Sequence, residues 1–198
     1  MTTISHLIIE ADDADAARSF YADVLGADAI EVRSSTAPTS GFHGFTISLI
    51  TSQPGNATAL LDRAAAAGAR VLKPAKKSLW GFGGVVQAPD DTIIKVASSA
   101  KKDTALVSTG FEEVVLLLGV ADMSATKNFY LDRGLTLAKS YGSKYAEFAG
   151  DGAVKLALYP RKAAAKDAGV PAEGSGSHRL VVASDAGAFV DPDGFVWE

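Results

Sequence analysis

The sequence contains no cysteine, and this absence removes several kinds of site at once. It excludes disulfide bonds, thiolate zinc sites, iron–sulfur clusters and a cysteine nucleophile. Histidine is also scarce, because His6, His43 and His178 are the only three among 198 residues. Any metal site that uses imidazole ligands must therefore draw on these three side chains.

An excess of positive charge and long apolar runs are also missing. Lys and Arg together number 19 against 23 Asp and Glu, which gives a formal net charge of -4. This balance gives no electrostatic basis for nucleic-acid binding. The longest apolar run, near residues 114–118, is far shorter than the roughly 20 residues that a membrane span needs. No signal-peptide core is present near the N-terminus, so we expect a cytoplasmic protein that contacts neither nucleic acid nor membrane.

One pattern occurs twice along the chain. The Phe-Tyr pair at positions 20–21 recurs at 129–130, and an aspartate precedes each pair by seven residues. A Pro-Asp turn follows in each half, at 89–90 and at 192–193, and each turn leads into an apolar segment. Because these features occur in the same order in both halves, they predict two related structural units.

Each half is interpreted as a strand, a helix and three further strands. The first module is predicted to cover residues 1–98 and the second 111–198, with a linker over 99–110. Asp13 and its counterpart Asp122 are predicted to cap the two helices. The expected fold is α+β, in which two tandem βαβββ modules form a curved mixed sheet around a cavity, with the helices outside. Such a cavity suits a small-molecule ligand.

These features resemble the vicinal oxygen chelate superfamily, which contains glyoxalases, bleomycin-resistance proteins and extradiol dioxygenases. The resemblance extends to actinobacterial-type proteins described as glyoxalase-like. The matching pieces are His6 on the first strand, the Phe-Tyr pair with Leu25-Gly26, the segment Trp80-Gly-Phe-Gly-Gly84, and the final segment Asp191-Pro-Asp-Gly-Phe-Val-Trp-Glu198. Together they cover almost the whole chain, in both halves.

The resemblance also implies where a metal would bind. Superfamily metal enzymes take ligands from the first and last strand of each module, and these positions fall on His6, Lys95, Val115 and Glu198. His6 and Glu198 can bind a metal, whereas Val115 and a protonated Lys95 cannot. Because a site of two histidines and one carboxylate needs three ligands, we expect a degenerate metal site. We further expect Lys95 to take the metal's electrostatic role and to pair with Glu198.

Three functions remain open from the sequence. The first is a glyoxalase- or bleomycin-resistance-like protein that binds a small organic molecule between the modules, with no cofactor. Its predicted ligand-binding residues are His6, His43, Trp80, Phe82, Lys95, Val115 and Glu198. The second is a divalent-metal-dependent lyase, isomerase or dioxygenase that uses His6 and Glu198 as metal ligands. Its third ligand is unidentified, and His178, Glu112 and Glu113 are candidates. The third is a regulatory protein that senses a metabolite, and either a monomer or a homodimer is consistent with the sequence.

Overall fold

The computed structural model describes residues 2–78 and 81–198, which form fifteen strands and four helices. The strands are β1 (Ile4–Ala11), β2 (Ile30–Ser34), β3 (Thr39–Gly41), β4 (Phe45–Ile50), β5 (Arg70–Ser78), β6 (Gly81–Gln87), β7 (Ile93–Ser98), β8 (Glu113–Val120), β9 (Thr136–Ser140), β10 (Ala146–Ala149), β11 (Val154–Pro160), β12 (Gly174–Gly176), β13 (Leu180–Ser184), β14 (Phe189–Val190) and β15 (Val196–Trp197). The helices are α1 (Ala14–Ser19), which continues as a wider helical turn over Phe20–Leu25, α2 (Pro54–Ala66), α3 (Met123–Asp132) and α4 (Arg161–Ala168). None of the helices in the described part of the chain has the length and apolar character to cross a membrane.

Thirteen strands form one sheet with two parts. Eight strands in the order β9-β10-β11-β8-β4-β7-β6-β5 make the part that we call the large half-sheet. Five strands in the order β14-β15-β13-β1-β2 make the small half-sheet. The two parts meet where Ile4 of β1 pairs with Val154 of β11. Strands β3 and β12 form a separate two-stranded sheet.

Each half of the chain contributes one complete βαβββ unit to the large half-sheet. The first unit runs from β4 through α2 to β7, and the second runs from β8 through α3 to β11. In each unit the first strand pairs in parallel with the last, and the two units join through the antiparallel pair β4–β8. Five further strands, from both ends of the chain, form the small half-sheet. The predicted fold of related units in one curved mixed sheet is therefore confirmed, and each half of the sequence extends into both half-sheets.

The main core lies between the sheet and the helices α1, α2 and α3. Alternate residues of β8, such as Leu116 and Leu118, are fully buried on this side, and α2 packs Leu60 and Ala64 against the sheet. The buried residues are two apart in the strand and four apart in the helix, because side chains repeat their direction every 2 residues in a strand and every 3.6 in a helix. These three helices lie on the outside of the sheet, as predicted.

The predicted helix caps are present in the structure. The Asp13 side chain accepts a hydrogen bond from the backbone N–H of Ala16 at 2.9 Å. Asp122 accepts one from the backbone N–H of Ala125 at 3.0 Å. Each cap satisfies a backbone donor that has no partner within the helix, which contributes about 1 kcal/mol to stability.

The tyrosines of the two Phe-Tyr pairs join each helix to the Pro-Asp turn of its own half. The Tyr21 hydroxyl donates to the Asp90 carboxylate at 2.9 Å, and the Tyr130 hydroxyl donates to Asp191 at 2.5 Å. Both rings are fully buried and belong to the main core. Phe129 is only partly buried. The Arg133 guanidinium lies over its ring, with 3.5 Å between the guanidinium carbon and the ring centroid.

Helix α4 occupies the opposite side of the large half-sheet, which we call the inner face. Ala164 and Ala165 are buried there against Leu117 and Ala157. The approach is close, because a Cβ added at Gly119 on β8 would lie 3.3 Å from that of Ala164. Small side chains on both elements thus bring the helix directly onto the sheet. This placement differs from the expectation of helices on the outside alone, and it fills the centre of the predicted cavity.

Candidate functional site

A row of five residues crosses the centre of the inner face. The strand register aligns Lys155, Val115, Ser48, Lys95 and Val85 on β11, β8, β4, β7 and β6. These positions alternate with the residues that face α2 and α3, so their side chains point toward α4. The row therefore contains one residue from the first and one from the last strand of each complete unit, and among them are Lys95 and Val115, two of the four positions that the resemblance implies.

The donor atoms in this row do not fit a metal ion. The Lys95 ammonium group donates to the carboxylate of Asp167 on α4, and the Lys155 ammonium group donates to Glu113 at 2.7 Å. An ammonium group has three donors and no lone pair with which to bind a cation. The row offers only the Ser48 hydroxyl as an oxygen, whereas divalent metals need several oxygen or nitrogen ligands.

His6 and Glu198 lie together in the small half-sheet instead. His6 of β1 pairs with Ala183 of β13, and the backbone of Glu198 bonds to β13 on both sides of Ala183. The two residues thus share one row across three strands, about 10 Å apart at their Cα atoms given the usual strand spacing. The four positions implied by the resemblance are divided between the two half-sheets and do not make one site.

Each of these two side chains has its own partner. The Glu198 carboxylate accepts a hydrogen bond from Arg33 at 2.7 Å, and His6 Nε2 lies 3.6 Å from the Glu31 carboxylate. The predicted ion pair between Lys95 and Glu198 is therefore wrong, because the two residues lie in different half-sheets with other partners. Over residues 2–78 and 81–198, no group of three or more histidine and acidic side chains is arranged to hold a metal.

The open space on the inner face lies to one side of α4, where β9, β10 and β11 face the helix. This space, which we call the tyrosine groove, has a volume of about 1370 Å³. Tyr141, Tyr145 and Tyr159 line it as a continuous aromatic surface, with ring centroids 6.1 Å and then 5.3 Å apart. Pro160 and Ala163 add further apolar surface near the helix. An aromatic surface beside an apolar helix face is suited to a flat organic molecule.

Several polar groups of the groove are held in place by their neighbours. Glu147 accepts a hydrogen bond from the Tyr145 hydroxyl at 2.7 Å and lies 3.6 Å from the Lys139 ammonium group. Burial raises the pKa of Tyr145, and the hydrogen bond to Glu147 raises it further. Burial and the nearby Asp167 charge also raise the pKa of Tyr159. Both phenols therefore stay protonated at neutral pH, and while Tyr145 donates its proton to Glu147, its oxygen is still able to accept a hydrogen bond.

The C-terminal end of α4 is fixed at the edge of the groove by Lys73. The Lys73 ammonium group donates to the backbone carbonyls of Lys166 at 2.9 Å and Asp167 at 2.5 Å. Gly169 then ends the helix with φ +83°, and a Cβ there would lie 2.8 Å from the Lys73 side chain. Glycine at this position allows both the left-handed turn and the approach of the lysine.

The other two histidines lie away from the tyrosine groove. His43 is buried, and burial lowers its pKa so that the ring is neutral. The His43 backbone carbonyl lies 2.5 Å from His178 Nδ1, and the His178 ring stacks on Phe195 with centroids 4.0 Å apart. Neither ring lines the tyrosine groove, so His43 is not placed at this candidate site.

Phe82, one of the two aromatic residues predicted to bind a ligand, does not line the groove. Phe82 is the second residue of β6, within the Gly-rich segment, and packs against the main core. Trp80 lies outside the described residues. A Cβ at Gly83 would lie 2.4 Å from the carbonyl of Val96, so this glycine serves close strand packing. Lys95 and Val115 do lie on the inner face, but beneath α4.

The three tyrosines of the groove were not identified from the sequence. Three of the five tyrosines in the chain fall between residues 141 and 159. Tyr141 and Tyr145 lie in the turn between β9 and β10, and Tyr159 lies near the end of β11. Such a local concentration of aromatic side chains on one hairpin and its neighbouring strand is the signal that could have indicated a binding surface.

With this geometry established, the fold is that of the vicinal oxygen chelate proteins. The structure is similar to glyoxalase I from Zea mays, with a TM-score of 0.64 and 12% sequence identity over 100% of this chain and 91% of that chain. It is also similar to a putative dioxygenase from Bacillus subtilis, with a TM-score of 0.56 and 12% identity over 91% of this chain and 69% of the other. No protein-family model matches the sequence, and no curated protein matches it. At these identities the likeness establishes the fold alone.

Proposed function

We propose that the protein is a glyoxalase-like binding protein that holds a small organic molecule in the tyrosine groove, without metal chemistry. The observation that carries this proposal is the continuous surface of Tyr141, Tyr145 and Tyr159 beside the apolar side of α4. The groove is large enough for a ligand of drug size, for which pockets of about 300–1,000 Å³ are usual. The row of side chains beneath α4, which contains two of the four metal positions that the resemblance implies, has lysines and a valine in place of ligands.

The contribution of each wall follows from its chemistry. The tyrosine rings offer apolar faces at a low cost in side-chain entropy, because each has only two rotatable bonds. Their hydroxyl groups provide direction, since Tyr145 is already held by Glu147 at 2.7 Å. The alanine-rich helix is fixed by Lys73 at its end and by Asp167, which accepts from Lys95. The groove is therefore largely formed before a ligand arrives.

A library of flat organic molecules is expected to contain members that raise the melting temperature of the wild-type protein. A ligand at one hundred times its Kd adds about 2.7 kcal/mol of stability, a shift of roughly 5–10 °C for a chain of this size. Tyr141→Ala is expected to weaken binding roughly threefold to tenfold by removing one aromatic wall. The measurement is differential scanning fluorimetry followed by calorimetric titration of each hit.

Tyr141 suits this test because 65% of its surface is exposed, so its removal does little to folding. Leu106→Ala is the matched control, since Leu106 is 95% exposed and lies in the linker, away from the groove. Hits that bind the Tyr141→Ala and Leu106→Ala proteins equally well would place the ligand elsewhere and contradict the proposal.

The alternative function, a divalent-metal-dependent lyase, isomerase or dioxygenase, is tested by elemental analysis. Protein purified without chelator, and protein reloaded with Fe, Mn, Ni or Zn, is compared with the double variant His6→Ala/Glu198→Ala. We expect no more bound metal in the wild type than in the variant, because each side chain has another partner and no third ligand is adjacent among the described residues. About one equivalent of metal in the wild type alone would favour the metal enzyme.

A further inference from the structure

The charges around the tyrosine groove are unbalanced. Four lysines line it (Lys73, Lys139, Lys144 and Lys166) against two acidic residues, Glu147 and Asp167. The chain as a whole carries a formal net charge of -4, so this local excess of positive charge is opposite in sign to that of the protein. A concentration of like charges at a concave surface raises the local concentration of a ligand of opposite charge.

Both acidic residues are already neutralised by cations of the protein. Glu147 lies 3.6 Å from the Lys139 ammonium group, and Asp167 accepts from Lys95 at the inner edge of the groove. Lys73 is also occupied, because it donates to the two backbone carbonyls at the end of α4. The negative end of the helix dipole is thereby offset and does not repel an anion in the groove.

Two lysines of the groove remain without a partner. Among residues 2–78 and 81–198, neither the Lys144 nor the Lys166 ammonium group forms an ion pair or a hydrogen bond. Lys144 lies on the turn that carries Tyr141 and Tyr145, and Lys166 lies on the facing helix α4. Both walls of the groove therefore present a free cation next to aromatic surface.

We infer that the ligand of the tyrosine groove is an aromatic carboxylate, with its ring against the tyrosines and its anionic group held by Lys144 and Lys166. The inference rests on the proposed function and adds the charge of the ligand to it. A carboxylate accepts charge-assisted hydrogen bonds from ammonium groups, which are stronger than those between neutral groups. A neutral ligand of the same shape leaves both lysines to water and gains only the aromatic contacts.

The test compares 2-naphthoate with 2-naphthamide, which has nearly the same shape and no charge. Calorimetric titration of the wild-type protein is expected to show about tenfold tighter binding of the carboxylate, the combined size of two ion pairs with exposed lysines. In 1 M salt the preference is expected to shrink, because the Debye length falls from about 10 Å at 0.1 M to about 3 Å. The double variant Lys144→Gln/Lys166→Gln is expected to bind both probes with similar affinity.

The matched control is Lys101→Gln/Lys102→Gln, which removes the same charge from two exposed linker lysines outside the groove. The control is expected to keep the preference for the carboxylate.

Equal binding of the two probes by the wild type would overturn the inference. Loss of the preference in both double variants would also overturn it, because net charge alone would then explain it. If the amide binds and Tyr141→Ala weakens that binding, the proposed function stands while the charge assignment fails. If no probe and no library member binds, both fail.

Discussion

Replacement of Tyr130 by alanine is expected to lower the free energy of unfolding by about 3–5 kcal/mol, the range for deleting a large buried aromatic side chain. The ring is fully buried, with centroids 5.2 Å from Trp197 and 5.7 Å from Phe148. Its hydroxyl donates to Asp191 at 2.5 Å, so the change also leaves a buried carboxylate with one donor fewer. Urea denaturation followed by circular dichroism measures the loss.

Two further variants separate the contributions to this loss. Tyr130→Phe keeps the ring and removes only the hydroxyl, and we expect it to cost about 1–3 kcal/mol, the penalty for an unmade buried hydrogen bond. Phe129→Ala is the neighbouring control, because Phe129 is partly exposed beneath Arg133. It is expected to cost less than Tyr130→Ala. A larger loss for Phe129→Ala would mean that the two rings have exchanged their places in the core.

The repeated local features of this fold can be predicted from the sequence, because each depends on residues that are near one another in the chain. Asp13 and Asp122 each accept from a backbone N–H only three residues ahead, at the start of the helix, and both caps form. The buried tyrosines are also predictable, since a helix with apolar residues at 3.6 spacing must turn that side to the sheet. These features set the fold class but not the order of the strands.

Which residues make up the site depends on which strands become neighbours. Strand pairing joins residues that are far apart in the sequence. Lys95 and Glu198 occupy corresponding positions in the two halves, yet one lies in the large half-sheet and the other in the small one. The reason is that β4 pairs with β8, so that the last strand of the first half and the opening strand of the second share one face. Two residues at equivalent positions of a repeat are thus expected to have similar local surroundings, but the repeat does not predict that they lie close together.

Helix α4 shows a second limit of the sequence pattern. Its buried residues are the alanines at 164, 165 and 168, whose small side chains give little indication of which surface they cover. The sheet beneath the helix gives no clearer signal. Gly119 and Ala157 allow the helix to approach because one has no side chain and the other only a methyl group. The position of the groove follows from α4, so the groove could not be predicted until the helix was placed.

Between pH 10 and pH 11 the protein is expected to lose about 2 kcal/mol of stability through its two buried tyrosines, about 1 kcal/mol for each, because the phenols of the unfolded chain go from half to almost fully ionised while the folded protein keeps both protons. Burial raises the pKa of Tyr21, and the negative charge of Asp90 raises it further. Burial likewise raises the pKa of Tyr130, with an added contribution from Asp191. In the unfolded chain both phenols titrate near pH 10.

The direction follows from the number of protons that each state binds. Above pH 10 the unfolded chain releases both phenolic protons, while the folded protein retains them, so alkaline conditions favour unfolding. Below about pH 9 both states are protonated, and the two phenols make no contribution to the pH dependence of stability. Tyr145 and Tyr159 act in the same direction, but their partial exposure makes their contribution smaller.

The double variant Tyr21→Phe/Tyr130→Phe identifies the source of the alkaline loss. At pH 8 it is less stable than the wild type, because two buried carboxylates lose their phenol donors. As the pH rises above 10, the wild type loses stability more steeply, so the difference between the two proteins narrows. Urea denaturation curves at intervals from pH 8 to pH 11 measure this convergence, and tyrosinate absorbance of the folded protein reports directly whether the two protons are retained. Parallel curves for the two proteins would show that the buried phenols ionise in the folded state, and that the hydrogen bonds to Asp90 and Asp191 do not persist in solution.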